Sequence, residues 1–100
     1  MTVVFSDRAR DDLETIWQAI AHENPGRATS FVEELIDLAE SLATMPFRFA
    51  EVRRYSASGI RRVPHSNYLI FYRVLADRIE IIHVLHAARD IDRMLFGEGE

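Results

Sequence analysis

The sequence contains no cysteine and no lysine. The lack of cysteine excludes a disulfide scaffold, a thiolate zinc site and a cysteine nucleophile. The longest apolar run, Tyr68 to Tyr72, is far shorter than the ~20 residues that span a membrane. No basic segment followed by an apolar stretch opens the chain, so no targeting signal is predicted. We therefore expect a cytoplasmic protein with no membrane association.

The residues that are present predict one globular domain, residues 1–100. Hydrophobic residues make up 48% of the 100 residues, which is typical of a folded domain and too high for a disordered chain. This length corresponds to one domain with one core.

Charge is distributed unevenly along the chain, although the net charge is only −4. Residues 1–44 carry nine acidic residues and three arginines, whereas residues 48–73 carry six arginines and only Glu51 as an acid. All 12 basic residues are arginines. An acidic half joined to a basic segment suggests two surfaces with different partners, although both could also be solvated faces.

The first half of the chain has the pattern of a short strand and two amphipathic helices. Residues 2–5 are β-branched or aromatic, and Ser6 can cap a following helix. Asn24 can cap a second helix with Pro25 at its first position. The turn between them is so short that the helices must form an antiparallel hairpin. On the first helix, Trp17 lies among apolar residues and is expected in the core.

After Met45-Pro46 the apolar period changes from helical to alternating. Residues 50–55 and 60–64 are possible strands, and Pro64 indicates a sheet edge for the second. Residues 68–75 and 79–86 are strong strands, 88–96 a short helix, and 97–100 a frayed tail. We therefore predict an α+β fold in which the helix hairpin packs on a twisted antiparallel meander.

The last two strands are apolar on both faces, since both alternations of residues 68–75 and 79–86 are mostly hydrophobic. An antiparallel sheet with one covered face should alternate more cleanly. The helix hairpin covers one face, so the other is covered by the rest of the chain or by another molecule; the short length favours a partner. His83 shares its alternation with three aliphatic residues and is expected in the core.

Several segments together resemble the ParE/RelE toxins of bacterial type II toxin–antitoxin systems. The resemblance covers residues 2–96, and the run Val84-Leu85-His86 followed by Arg89-Asp90 is especially similar to the ParE branch. The segments that carry it are FSDRA (5–9), DLETIW (12–17), Asn24-Pro25 with Ala28 and Phe31, YLIFYRV (68–74) and IEIIHVLHAARD (79–90).

The resemblance implies a bacterial toxin neutralised by an antitoxin whose C-terminal segment folds on binding, in a hetero-oligomeric complex. ParE-like toxins are associated with DNA gyrase, whereas RelE-like toxins cleave mRNA on the ribosome. The fold does not decide between these activities. An inactive toxin that only binds its antitoxin is a third possibility.

A ribonuclease needs a base, an acid and a cation, for which the resemblance suggests Glu51, His86 and Arg62. The ribonuclease pattern is incomplete, because Tyr68 stands where an arginine is expected and lysines are missing. We therefore predict a toxin that binds its target, most simply gyrase, and performs no catalysis. It should need no cofactor or metal and bind no specific DNA sequence itself. The candidate residues for contacts with the target or the antitoxin are Arg53, Arg54, Arg61, Arg62, Tyr68, Tyr72, Arg73, His86 and Arg89.

Overall fold

The computed structural model describes residues 1–97, so residues 98–100 of the predicted tail lie outside the described part. A 3₁₀ segment, Arg53–Ser58, lies between the second helix and the second strand. The remaining elements are β1 (Thr2–Phe5), α1 (Asp7–Ala21), α2 (Pro25–Ser41), β2 (Arg61–His65), β3 (Tyr68–Val74), β4 (Arg78–His86) and α3 (Ile91–Phe96). Between residues 1 and 97, no helix is long and apolar enough to cross a membrane.

The two predicted helix caps fix the hairpin. The Ser6 hydroxyl accepts a hydrogen bond from the Ala9 amide (3.0 Å) and donates one to the Ile82 carbonyl (2.8 Å), which ties the start of α1 to β4. The Asn24 side chain accepts from the Arg27 amide (3.0 Å), with proline at the first turn of α2. Each cap satisfies a backbone donor that the helix itself cannot pair.

The four strands form one sheet in the order β1-β4-β3-β2. Strands β2, β3 and β4 make the predicted antiparallel meander, and β1 adds in parallel to the outer side of β4. The sheet is therefore mixed, and the fold is the predicted α+β class. Strand β2 is an edge, as Pro64 indicated, because proline cannot donate to a further strand.

The main core lies between the helix hairpin and one face of the sheet. Its largest buried side chains on the helix side are Leu35 of α2 and Leu42, which caps the end of α2. The sheet contributes Ile70, Tyr72, Ile79 and Ile81. Burial of this apolar area is the main favourable contribution to folding.

The opposite face of the sheet is covered by the chain itself, so the expectation that a partner covers it is wrong. Phe71 and Leu85 are only 0% and 3% exposed, and they pack with Tyr55 and Ile60 in a second cluster. Side chains from α3, including Ile91, Met94 and Leu95, close this cluster. The 3₁₀ segment and α3 therefore form a thin second layer.

A β-bulge in β4 changes the predicted alternation of that strand. Phe71 pairs with His83, but the next residue, Tyr72, pairs with Ile81, so Ile82 is an extra residue. Ile79 and Ile81 face the helix hairpin, whereas Leu85 packs in the second cluster. Strict alternation predicts that Ile79, Ile81 and Leu85 share one face of the sheet. That prediction is wrong, because the extra residue reverses the orientation of the side chains that follow it.

Two further local predictions are wrong. Residues 50–55 do not form a strand: Glu51 makes an isolated bridge to Arg61, and the chain then turns into the 3₁₀ segment with Tyr55 buried. Trp17 is not in the core, since it is 36% exposed and its indole N–H donates to the Thr29 hydroxyl of α2 (3.1 Å). The core position of His83, 4% exposed, is confirmed.

Candidate functional site

A cleft of about 350 Å³ opens between the 3₁₀ segment, the sheet and the start of α3. Three arginines, Arg54, Arg62 and Arg89, line it together with two acidic residues, Asp90 and Asp92. Apolar residues, including Leu69, complete the lining. We call it the arginine cleft. Arginines exceed acidic residues by three to two in this lining, so a partner that presents a carboxylate is favoured.

The edge strand β2 explains why Arg62 belongs to this cleft and Arg61 does not. Successive side chains of a strand point to opposite faces. Arg62 lies opposite Phe71, which faces the second cluster, whereas Arg61 lies opposite Tyr72, which faces the helix hairpin. The prediction that the two guanidinium groups lie on opposite sides of the strand is confirmed.

One of the three cations in the cleft is neutralised within the chain. Arg54 pairs with Asp92 of α3 (2.7 Å), and the buried Tyr55 hydroxyl donates a hydrogen bond to the same carboxylate. Burial, and secondly Asp92, raise the pKa of Tyr55 to about 12, so this hydroxyl remains a donor at neutral pH. The side chains of Arg62 and Arg89 make no ion pair or hydrogen bond with any described residue. These two guanidinium groups are free to bind an outside anion.

A second cleft of about 360 Å³ continues the arginine cleft across β2. The two share Arg62 and Leu69, and the second adds Arg53 and Glu51. Arg53 is exposed and makes no ion pair with a described residue. Three arginines of the basic segment, Arg53, Arg54 and Arg62, thus lie at one edge of the sheet.

Three of the predicted contact residues are occupied in holding the fold. Tyr72 is 0% exposed and its hydroxyl donates to the Pro46 carbonyl (3.0 Å), so it has no surface for a partner. Arg61 donates to the Phe49 carbonyl (2.7 Å), and Arg73 pairs with Glu80 across the β3–β4 ladder (3.6 Å).

Tyr68 and His86 form a separate site on the helix side of the sheet. They are cross-strand partners with ring centroids 5.1 Å apart, and Tyr68 also contacts Phe31 of α2 (5.6 Å). The His86 Nδ1 accepts a hydrogen bond from the Ala88 amide (3.0 Å), which fixes the ring. Both residues line a groove of about 400 Å³ beside α1, which also reaches Arg89.

The three residues of the ribonuclease alternative are not brought together. Glu51 and Arg62 line the cleft at the β2 edge, whereas His86 lines the groove beside α1. Arg62 is opposite Phe71 and His86 is opposite Tyr68, residues that belong to different faces of the sheet. A base, an acid and a cation must all reach one phosphate to cleave RNA. In this conformation Glu51, Arg62 and His86 do not meet that condition.

A buried pair at the rim of this groove was missed by the sequence reasoning. The Asp12 carboxylate accepts from the His83 ring (2.6 Å) and from the Val84 amide (2.8 Å), and so joins α1 to β4 just after the bulge. One signal was present: Asp12 follows Ala9 by three residues and precedes Ile16 by four, on the buried side of the helix. Within residues 1–97, no group of three or more histidine or acidic side chains could hold a metal ion.

The fold is similar to two solved toxin–antitoxin structures. One is from the chromosomal ParDE toxin–antitoxin system of P. aeruginosa, with a TM-score of 0.72 and 18% identity over 86% of this chain and 95% of that one. The other is from the RelBE2 toxin–antitoxin complex of Mycobacterium tuberculosis, with a TM-score of 0.61 and 26% identity over 85% of this chain and 95% of that one. No curated protein sequence matches the chain.

A family model supplies the assignment that the structural likeness alone does not. The model of the ParE toxin of type II toxin–antitoxin systems, parDE, matches residues 3–91, which include the helix hairpin, the sheet except Thr2, and the residues that line the two clefts except Asp92. The chain therefore belongs to the ParE toxin family of type II toxin–antitoxin systems.

Proposed function

We propose that this toxin acts in the bacterial cytoplasm by binding DNA gyrase, and that it performs no catalysis. The observation that carries the proposal is the pair of free guanidinium groups, Arg62 and Arg89, in a cleft that Glu51 and His86 do not complete as a nuclease. Membership of the ParE family supports the same target, since the ParE branch is the one associated with gyrase.

The proposed partner in the cell is a ParD-like antitoxin that folds on binding and forms a hetero-oligomer with the toxin. The acidic surface of the helix hairpin and the basic edge at β2 give the chain two surfaces of opposite charge, so antitoxin and target can be recognised by different residues. We assign the arginine cleft, with Arg53 beside it, to the target. The antitoxin then takes the outer groove of the hairpin.

The test compares two targets with the same purified toxin. Supercoiling by gyrase on plasmid DNA and translation of a reporter mRNA on ribosomes are each measured with increasing toxin. We expect loss of supercoiling and an intact mRNA. Arg62→Ala should weaken the inhibition of gyrase, because one free cation is removed, while His86→Ala should change it much less. Cleavage of the mRNA that disappears in His86→Ala, with gyrase unaffected, is the result that contradicts the proposal.

A further inference from the structure

The most exposed large apolar side chains lie together in the loop that follows α2. Phe47 is 65% exposed and Met45 is 58% exposed, whereas the other exposed large apolar side chains range from 36% for Trp17 to 49% for Met1. Two large apolar side chains this exposed, separated by one residue, can mark a binding surface. We call Met45 to Phe47 the apolar knob.

The knob is exposed although its backbone is firmly held. The buried Tyr72 hydroxyl donates to the Pro46 carbonyl (3.0 Å), and Arg61 donates to the Phe49 carbonyl (2.7 Å). The Arg48 amide closes a turn onto the Met45 carbonyl (3.1 Å). The loop is thus anchored on both sides of Phe47. Binding through an ordered loop costs little conformational entropy, which makes such a loop an effective binding element.

The charges around the knob are basic. The Arg61 guanidinium lies 4.9 Å from the centroid of the Phe47 ring, and the exposed Arg48 lies next to it in the chain. Glu51 is the nearest acid in sequence, and it already pairs with Arg61 (3.7 Å). A complementary partner surface therefore has an apolar pocket rimmed by carboxylates.

The position of the knob relates it to the arginine cleft. Arg61, which contacts the knob, and Arg62, which lines the cleft, are neighbours on the edge strand β2 and point to its two faces. A partner that approaches this edge can contact both. A protruding side chain fits a concave pocket on a folded protein, whereas a segment that folds on binding needs a groove to lie in.

We propose that the apolar knob inserts into an apolar, carboxylate-rimmed pocket on the folded target protein of the toxin and is a determinant of target binding separate from the antitoxin interface. This inference rests on the proposed function, since it requires an active toxin. Phe47 is the anchor of the contact, as buried aromatic residues commonly are in protein interfaces.

The experiment uses the variants Phe47→Ser, Phe47→Lys and Phe47→Glu, with Val4→Ser as the control for loss of an exposed apolar side chain elsewhere. Growth arrest after induction measures action on the target, whichever protein that is, and calorimetry with the purified antitoxin measures the other interface. We expect Phe47→Ser to weaken growth arrest and gyrase inhibition about tenfold or more, with antitoxin affinity unchanged. Growth arrest by Phe47→Glu should be weaker than growth arrest by Phe47→Lys, because glutamate places a negative charge against the carboxylates of the pocket. Val4→Ser should behave as the wild type.

Three results overturn the inference. The first is that Phe47→Ser and Phe47→Glu are as toxic as the wild type. The second is that the affinity of the Phe47 variants for the antitoxin falls in parallel with their toxicity, and the third is that Val4→Ser loses as much activity as Phe47→Ser. A wild-type chain that arrests no growth instead contradicts the proposed function itself, and the inference fails with it. If growth arrest depends on Phe47 but gyrase is unaffected by the toxin, the inference holds and only the assignment of gyrase as the target is wrong.

Discussion

At the scale of single residues, Asp12 makes the most consequential polar contacts of the core. Its carboxylate pairs with His83 (2.6 Å) and accepts from the Val84 amide (2.8 Å), and the exposed fractions of the Asp12 and His83 side chains are only 15% and 5%. The second ring nitrogen of His83 is buried without a partner. A buried polar group that loses its hydrogen-bond partner costs more free energy than the bond contributed. Removal of the Asp12 carboxylate should therefore destabilise the folded chain.

We expect Asp12→Ala to lower the free energy of unfolding by about 2–4 kcal/mol, because it leaves both His83 and the Val84 amide without a partner in the core. Urea denaturation measures the change. The matched control is Asp11→Ala, one position away on the exposed side of α1, for which a change of about 0.5 kcal/mol or less is expected. Equal stability of the two variants would show that the buried pair contributes nothing.

The raised pKa of Tyr55 predicts a loss of stability at alkaline pH. In the folded chain the pKa is about 12, whereas a free tyrosine ionises near pH ~10. The unfolded chain therefore releases the proton first, so the contribution of Tyr55 is complete below pH ~10 and is lost between there and pH ~12. We expect the difference in unfolding free energy between the wild type and Tyr55→Phe to shrink over that range. A difference in unfolding free energy that does not change with pH contradicts the raised pKa of Tyr55. The contribution of Tyr72 is present in both proteins and cancels in this difference.

At the scale of elements, the helix α3 is too short to be stable by itself. It has six residues and no fully buried side chain, and helices of this length do not persist in water without tertiary contacts. Its contacts include the apolar side chains of Ile91, Met94 and Leu95 on the second cluster. The Phe96 ring lies 5.2 Å from the Tyr55 ring, and Asp92 links the helix to Tyr55 and Arg54. The layer that covers Phe71 is therefore held by a few apolar side chains together with the link at Asp92.

Asp92→Ala should loosen α3 without unfolding the rest of the chain, because it removes the acceptor that joins α3 to the 3₁₀ segment. Hydrogen exchange of backbone amides measures this locally. We expect faster exchange in α3 and unchanged exchange in α1 and α2. Asp77→Ala is the control, since Asp77 also pairs with an arginine (2.9 Å) but at an exposed turn. Unchanged exchange in α3 would mean that the apolar contacts alone hold it.

Local signals predicted the elements that local interactions determine. Ser6 and Asn24 gave the helix starts, and the edge position of Pro64 followed from its missing N–H. The bulge at Ile82 was not predictable, since pairing with β3 decides the register and no residue in β4 marks the extra position. The composition of residues 50–55 permits a strand, but burial of Tyr55 against the sheet decides otherwise.

The candidate site was predictable in its composition and not in its grouping. The excess of arginine between residues 48 and 73 predicts a basic surface, and Arg53, Arg54 and Arg62 of that segment lie at the β2 edge. Burial removed Tyr72 from the predicted contact residues, and the face of the sheet separated His86 from Arg62. Both depend on long-range packing. The exposure of Phe47 has no sequence signal, because the pattern around an aromatic residue in a loop does not distinguish a buried position from an exposed one.

At the scale of the whole molecule, the separation of acidic helices from a basic sheet edge predicts that position matters more than net charge. Arg62→Glu and Arg8→Glu change the net charge of −4 by the same amount. Arg62 is a free cation of the arginine cleft, whereas Arg8 is exposed at the start of α1. If the cleft faces the target, Arg62→Glu should weaken binding to gyrase about tenfold or more, and Arg8→Glu by much less.

Binding measured at low and at physiological ionic strength separates the contributions further: wild-type binding should weaken with salt, and that dependence should be smaller in Arg62→Glu than in Arg8→Glu. Equal losses in the two variants would mean that only the overall field of the molecule matters, and the arginine cleft would then have no specific role.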